Sequence, residues 1–141
     1  ERSRGLGDVY KRQVEIRVRY QETDQMGIVH HANYFIWFES ARITLLDLIG
    51  YPYIELEREG YFLPVLSCRS NFLLPARFHD QLEIGIEFHN PSRVRFEANY
   101  KVIRKNETLA TGRTIHAFVS NEGKIIRPPQ KFLDRINTFT S

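Results

Sequence analysis

The stretch YFIWFESARITLLDLIGYP, residues 34–52, predicts the helix around which the rest of the chain is arranged. Apolar side chains recur in it at the three- and four-residue spacing of one helix face. The residues with this spacing are Tyr34, Trp37, Phe38, Ala41, Leu45 and Leu48. Gly50 and Pro52 end the pattern after about four turns. Additional apolar residues widen the stripe well beyond one face, so we expect a core helix that other structure surrounds on most sides.

Strands are predicted on both sides of this helix. The alternating apolar positions before it are Val14, Ile16, Val18 and Tyr20. Four extended or alternating segments follow it, at residues 62–76, 82–88, 94–102 and 109–119. Because short turns such as HNPSR at residues 89–93 join these segments, we expect four antiparallel neighbours in a meander.

This order of elements predicts an α+β fold in which one sheet curves around one long helix. Two shorter helices are also expected, a polar one within residues 51–61 and a terminal one at residues 130–139. A single helix covers only one face of the sheet. We therefore expect the chain to pair with a second copy of itself, which makes a site between subunits plausible.

Length and composition indicate one globular domain. The chain has 141 residues, of which 42% are hydrophobic and 26% charged, and no apolar run approaches the roughly 20 residues that span a bilayer. We recognise no secretory signal, and the lone Cys68, expected to be a small buried side chain, cannot form an internal disulfide. These features favour a soluble, cytoplasmic protein.

The basic charge is concentrated at the start of the chain. Residues 1–13 resemble a translated sequencing adaptor, so we expect a non-native or disordered leader there and a single domain over residues 14–141. The leader holds four basic and two acidic residues of the 20 basic and 17 acidic residues in the chain, which leaves a net charge of only +1. Nucleic-acid binding is therefore disfavoured.

A polar loop, TDQMGIVHHAN at residues 23–33, comes directly before the long helix. Asp24 in this loop is either a turn or capping residue, or a carboxylate that works beside the positive end of the helix. Free amide groups at a helix N-terminus stabilise an anionic oxygen that forms during a reaction. A carboxylate at that place can attack a carbonyl or take a proton from water.

The histidines of the loop do not indicate a metal site. His30 and His31 are sequence neighbours, so we expect them to point in different directions; either one could be a hydrogen-bonding partner at the site or a capping residue. No zinc-binding spacing of His and Cys is present, and we expect no metal. The serine-hydrolase, P-loop and dinucleotide-binding motifs are also missing from the sequence.

Residues 18–42, VRYQETDQMGIVHHANYFIWFESAR, resemble the signature of the hotdog-fold acyl-CoA thioesterases. The resemblance is to the 4-hydroxybenzoyl-CoA thioesterase superfamily, and within it to the YbgC/FadM-like branch. FLLPARFHDQLEI at residues 72–84 and LATGRTIHAFVSNEGKIIRPP at residues 109–129 are similar to later strands of the same family. The resemblance implies a five-stranded antiparallel sheet wrapped around one long central helix, in homodimers or homotetramers with sites at subunit interfaces.

The resemblance also implies roles for individual residues. Asp24 corresponds to the essential carboxylate, as nucleophile or general base, while His31 would position the substrate and Tyr20 would orient water or the carboxylate. Amides near residues 29–31 would stabilise the oxyanion. The substrate-binding residues implied in this way are Gly27, Ile28, Val29, His30, Asn33 and Tyr34. Asn33 is also a candidate helix cap.

The function that the resemblance implies is hydrolysis of an acyl-CoA thioester to a carboxylic acid and CoA, without a cofactor. Two alternatives remain: a non-catalytic protein that binds acyl thioesters, and a hotdog-fold dehydratase or hydratase that acts on acyl-carrier-protein thioesters. The phosphates of CoA require cations. The available ones are Arg69, Arg77, Arg93, Arg95, Arg113 and Lys124, although most arginines on strands are simply solvated.

Overall fold

The computed structural model describes residues 12–89 and 94–140. The predicted leader lies outside the described residues except for its last two, and most of the predicted turn at residues 89–93 also lies outside them. In the described part, none of the helices is long and apolar enough to cross a bilayer.

Five strands and three α-helices make up the described chain. The strands are β1 (Arg12–Arg17), β2 (Val65–Phe72), β3 (Gln81–His89), β4 (Arg95–Arg104) and β5 (Glu107–Ala117). The helices are α1 (Ala32–Leu48), α2 (Tyr53–Arg58) and α3 (Gln130–Thr140). All five strands are antiparallel neighbours in one sheet, and its inner face packs on α1 in one core. The predicted α+β fold is therefore confirmed.

The strand order corrects the predicted meander. The sheet runs β1-β3-β4-β5-β2, so only β3, β4 and β5 form consecutive hairpins. The connection from β2 to β3, residues 73–80, is too long for a tight hairpin, and it carries the chain from one edge of the sheet to the other side. β2 therefore pairs with β5 and lies at an edge.

The first strand is shorter than the alternation predicted. After β1 ends at Arg17, a single 3-10 turn at Tyr20–Glu22 redirects the chain. Val18 still enters the core, but Tyr20 has left the sheet and is 75% exposed. The turn forms because the Glu22 carboxylate accepts a hydrogen bond from the Arg19 amide at 2.8 Å.

The long helix packs on fewer sides than its composition indicated. Its buried residues follow the predicted spacing from Tyr34 to Leu45, but Leu46 is buried in place of the predicted Leu48, which is 49% exposed, and Ile36 is 55% exposed. Cys68, predicted to be buried, is exposed too. It lies on the edge strand β2, where no second layer of this chain covers it.

Candidate functional site

The loop before α1 is a small hairpin that ends in a tight turn. Thr23 pairs with Val29, and the Asp24 amide donates to the carbonyl oxygen of Ile28 at 2.8 Å. The Gly27 amide closes the turn by donating to the Asp24 carbonyl oxygen at 3.0 Å. Gly27 has a φ of +80°, which a residue without a Cβ atom adopts without strain. The sequence DQMG therefore fixes the backbone around the acid.

The side chain of Asp24 is oriented through one of its two oxygens. Its Oδ1 accepts hydrogen bonds from the amides of Met26 at 2.8 Å and Ile28 at 3.4 Å. Within residues 12–89 and 94–140, no donor contacts Oδ2 and no ion pair involves this carboxylate. One oxygen is thus held by the loop while the other is available for chemistry. The amides that hold the carboxylate belong to the loop, not to the helix as the sequence suggested.

Asp24 lines an open cavity of about 410 Å³ at the start of α1. The lining residues are Asp24, Ile28, Val29, His30, His31, Tyr34, Phe72, Leu73, Leu74 and Pro75. Six of the nine residues predicted for the site therefore meet in one cavity. Tyr20, Gly27 and Asn33 are not among the residues that line it.

Tyr20 and Asn33 make other contacts. The ring of Tyr20 packs edge-on against Phe78, with 5.6 Å between the centroids. The helix begins at Ala32, so Asn33 lies in the first turn and does not cap it. Its amide instead donates to the carbonyl oxygens of Glu22 at 3.0 Å and His30 at 3.2 Å, which fastens the loop to α1.

The two neighbouring histidines do not diverge as expected. Their rings stack, with 4.4 Å between centroids and 25° between planes. The backbone at His31 is already helical, so the chain is not extended there and the side chains do not alternate. Nδ1 of His30 accepts a hydrogen bond from the Ala32 amide at 3.2 Å. Among the described residues, no group of three or more His, Cys, Asp or Glu side chains could hold a metal ion.

Only one of the three amides proposed to stabilise an oxyanion is available. The Val29 amide donates to the Ala76 carbonyl oxygen at 2.9 Å, and the His30 amide donates to that of Glu22 at 2.8 Å. No hydrogen bond in the described ranges occupies the amide of His31, which is directly before α1 and belongs to the cavity lining. Of these three amides, only that of His31 remains free, among the described residues, to donate a hydrogen bond to a bound oxyanion.

One wall of the cavity was not predicted as part of the site. Residues 72–75 form it, and the ring of Phe72 packs edge-on against Tyr34 with 4.9 Å between centroids. Arg104 holds the following connection, because its guanidinium donates to the Pro75 carbonyl oxygen at 3.3 Å and to Asp80 at 2.7 Å. The apolar run at residues 62–76 was the only signal in the sequence, and it indicated a strand without locating its end beside the helix.

None of the cations considered for CoA phosphates lines this cavity. Arg69 and Arg113 lie together along a shallow groove of about 260 Å³, and Arg113 forms an ion pair with Glu97 at 2.7 Å. Arg93 lies outside the described residues. No assignment of phosphate-binding residues follows from this arrangement.

A second, more enclosed cavity of about 210 Å³ lies further along α1. His116 lines it and is 1% exposed. Its Nε2 is 2.8 Å from the Thr114 hydroxyl, which is 2.7 Å from the Tyr100 hydroxyl, and Arg42 donates to the same Tyr100 oxygen at 3.0 Å. Burial, assisted by the charge of Arg42, lowers the pKa of His116 from 6.5 to about 4. This histidine is therefore neutral at physiological pH.

Comparisons with known proteins agree with this architecture. A family model described as the thioesterase-like superfamily matches residues 18–136. A candidate esterase of Aquifex aeolicus (strain VF5) is 34% identical over 126 residues, which cover 89% of this chain and 94% of the relative. The acyl-CoA thioester hydrolase YbgC of Escherichia coli O157:H7 is 29% identical over 94 residues, 67% of this chain and 70% of the relative.

The crystal structure of protein TT1821 from Thermus thermophilus superposes with a TM-score of 0.84 at 34% identity. The superposition covers 90% of this chain and 98% of that one. The hotdog arrangement implied by the resemblance of residues 18–42 is therefore confirmed.

Proposed function

The chain belongs to the thioesterase-like superfamily, its relatives include named thioesterases and thioester hydrolases, and we propose that it hydrolyses acyl-CoA to a carboxylic acid and free CoA. One observation carries this proposal. Asp24 and His31 line the same open cavity, and among the described residues neither Oδ2 of Asp24 nor the amide of His31 has a hydrogen-bond partner. The activity named for the YbgC relative supports the choice of an acyl-CoA substrate.

The reaction follows from these two groups. The thioester carbonyl oxygen accepts a hydrogen bond from the His31 amide, which stabilises the negative charge that develops on it. Oδ2 of Asp24 then either attacks the carbonyl carbon, which expels the CoA thiolate and leaves a mixed anhydride for water to cleave, or removes a proton from the water that attacks. Both routes give the same products, and no metal or cofactor takes part in either.

Other residues of the cavity are proposed to bind the substrate. Ile28 and Val29 and the aromatic side chains of Tyr34 and Phe72 offer apolar contact to the acyl group, and the exposed imidazole of His31 helps to position the thioester. Tyr20 orients water only if its ring leaves Phe78 and turns into the cavity, because in this conformation it is directed elsewhere.

The proposal is tested by measuring thiol release from acyl-CoAs with short, long and aromatic acyl groups. Asp24→Asn keeps an oxygen that can accept from the Met26 amide, so the hairpin remains while the anionic oxygen is lost. We expect turnover to fall by about 10²–10⁴-fold, the range typical of lost acid–base catalysis. Asp47→Asn is the matched control, because Asp47 is exposed near the other end of α1.

Turnover that survives in Asp24→Asn would rule out the mechanism. If the unmodified protein binds acyl-CoAs but releases thiol from none of them, the proposal is wrong and the chain is a non-catalytic binding protein. Addition of water to an enoyl thioester, without cleavage, would identify a hydratase instead.

We further propose that the enzyme is a homodimer or a homotetramer in which copies pair along β2. This strand has β5 on one side only, and an unpaired edge is a template for another strand. Large apolar side chains on and just after it are exposed, at Val65, Leu66, Phe72, Leu73 and Leu74. Sedimentation should show an oligomer that Leu66→Glu dissociates; a monomeric unmodified protein would contradict this proposal.

A further inference from the structure

Glu22 is a buried carboxylate beside the candidate site, and the mechanism above does not use it. It is 3% exposed. Its Oε1 accepts the Arg19 amide at 2.8 Å, and its Oε2 accepts the indole Nε1–H of Trp37 at 2.9 Å. Oε2 also lies 3.4 Å from the largely exposed Arg19 guanidinium. A buried charge is tolerated only with such partners, so both oxygens are committed and neither is free to act on a substrate.

The backbone of the same residue closes the hairpin that carries Asp24. The carbonyl oxygen of Glu22 accepts the His30 amide at 2.8 Å and the Asn33 side-chain amide at 3.0 Å. Glu22 therefore contacts the hairpin through its main chain and α1 through its side chain. It is two residues before Asp24, and the residue after His30 carries the unpaired amide.

Trp37, which donates the hydrogen bond to the Glu22 side chain, is buried in the core. It is 2% exposed and packs against Tyr34, with 4.8 Å between their ring centroids. The indole hydrogen bond thus joins the hairpin to a buried aromatic pair of the core. Without it, the fastening of the start of the hairpin to α1 would depend on the partly exposed Asn33 amide.

We propose that Glu22 is a positioning residue, which acts through Trp37 to hold Asp24 and the His31 amide at the separation and angle that thioester cleavage needs. This inference rests on the proposed function. A misplacement of about 1 Å in a catalytic group can reduce the rate about 10²-fold, so the hydrogen bond affects the rate of the chemical step more than it affects substrate binding.

The contact between the Glu22 carboxylate and the Trp37 indole is tested by one substitution at each residue. Glu22→Gln keeps the size of the side chain, but its NH₂ group must face one of two donors, the Arg19 amide or the Trp37 indole. Trp37→Phe removes the indole N–H and keeps an aromatic ring in the core. We expect each to lower kcat by about 10- to 100-fold with KM changed far less, and the double variant to be no slower than the slower single variant because both weaken the hold of the Glu22 side chain on α1.

If Glu22 and Trp37 only stabilised the fold, their substitution would lower Tm and leave kcat unchanged. Phe132→Leu in α3 is the control, because Phe132 is fully buried against Phe118, remote from the hairpin. It should lower Tm without lowering kcat at a temperature well below Tm. If Glu22→Gln and Trp37→Phe also lower Tm while kcat stays unchanged, the inference is wrong.

Hydrogen exchange gives a readout that needs no activity. Loss of the contact should speed exchange at the amides of Met26, Ile28 and His30 by about tenfold or more relative to Phe132→Leu, since local opening becomes easier. Trp37 is the single tryptophan, so its indole N–H resonance reports the bond directly and should shift in Glu22→Gln. If the unmodified protein cleaves no thioester, the proposed function fails, and unchanged exchange in Glu22→Gln would overturn the positioning role independently.

Discussion

Histidines line both cavities along α1, but the polar groups around His31 and around His116 differ in their hydrogen bonding. At the start of the helix, His31 is exposed, its amide is unpaired, and Asp24 offers a free oxygen to an open space. Further along, His116 is buried, and both of its ring nitrogens lie near protein partners, the Thr114 hydroxyl and the Leu63 carbonyl oxygen. Among the described residues, Asp24 and His31 therefore keep groups that accept or donate no hydrogen bond, whereas the ring of His116 keeps none.

In the second cavity, the titratable side chain of His116 contributes to the packing between the helix and the sheet. Its polar groups, from Arg42 through Tyr100 and Thr114 to His116, bond to one another in a chain across the space between helix and sheet. Burial raises the pKa of Tyr100 and lowers that of His116, so both remain neutral near pH 7. His116 and Tyr100 are therefore neutral, hydrogen-bonded groups that stabilise packing, and neither supplies an acid or a base near pH 7.

Among the variants that compare the two cavities, the largest effect is expected at the unpaired amide of His31. His31→Pro removes the N–H, and the φ of −56° at this position suits proline. His31→Ala removes the imidazole and keeps the amide. We expect His31→Pro to lower kcat by about 10²–10³-fold, as typical for a lost oxyanion donor, and His31→Ala to lower it much less. Thiol-release kinetics measure both.

This pair of variants also tests the comparison of the cavities. Circular dichroism should show that both variants fold, because the position directly before a helix tolerates proline. If both lose the same activity, the imidazole and not the amide is the contributing group. His116→Gln should leave kcat unchanged, and a large loss there would show that the enclosed cavity takes part in turnover.

Local sequence patterns predicted the helices and strands well, because the formation of a helix or a strand depends on neighbouring residues. The spacing from Tyr34 to Leu48 located α1 to within two residues at its start, and the alternation from Leu82 to Phe88 located β3. The position of β2 could not be predicted, since pairing with β5 depends on residues 38–51 positions away. The contribution of Phe72 to the site was missed for the same reason.

The candidate site was predicted through the resemblance and refined by geometry. Residues 23–33 place Asp24 and His31 near each other in sequence, and the structure brings both into one cavity. Sequence could not show that the Val29 and His30 amides are occupied by other carbonyl groups. Nor could it show that Glu22 is buried, because nothing in the surrounding letters specifies its partner Trp37.

A smaller effect is expected on stability as the pH falls. The unfolded chain protonates His116 near pH 6.5, whereas the folded chain resists protonation until about pH 4. The stabilisation is therefore complete above pH 6.5 and is lost progressively between pH 6.5 and 4. At about 1.4 kcal/mol per pKa unit, this loss amounts to about 3 kcal/mol.

Denaturant unfolding at several pH values measures this loss. His116→Gln cannot titrate, so its free energy of unfolding should fall less over the same range than that of the unmodified protein. Exposed histidines contribute equally to both proteins and cancel in the comparison. Identical slopes would show that His116 is not held neutral, and the contrast between the two cavities would then lose its electrostatic basis.

The smallest effect concerns the packing of Phe38, a fully buried residue of α1 one helical turn after Tyr34 and one turn before Arg42. Its ring stacks on Tyr100 with 4.3 Å between centroids, and a Cβ atom at Gly112 would overlap it from the sheet side. Gly112→Ala should therefore lower the free energy of unfolding by about 1–3 kcal/mol, the typical cost of overpacking.

A smaller side chain in place of Phe38 tests whether overpacking causes the loss of stability in Gly112→Ala. Phe38→Leu alone loses buried contact, but combined with Gly112→Ala it makes room for the new methyl group. The double variant should therefore be more stable than the sum of the two single losses predicts, by about 1 kcal/mol, as expected for residues in direct contact. Strict additivity would show that the helix and the sheet can move apart at this point, so that the close approach of Phe38 and Gly112 does not limit their packing.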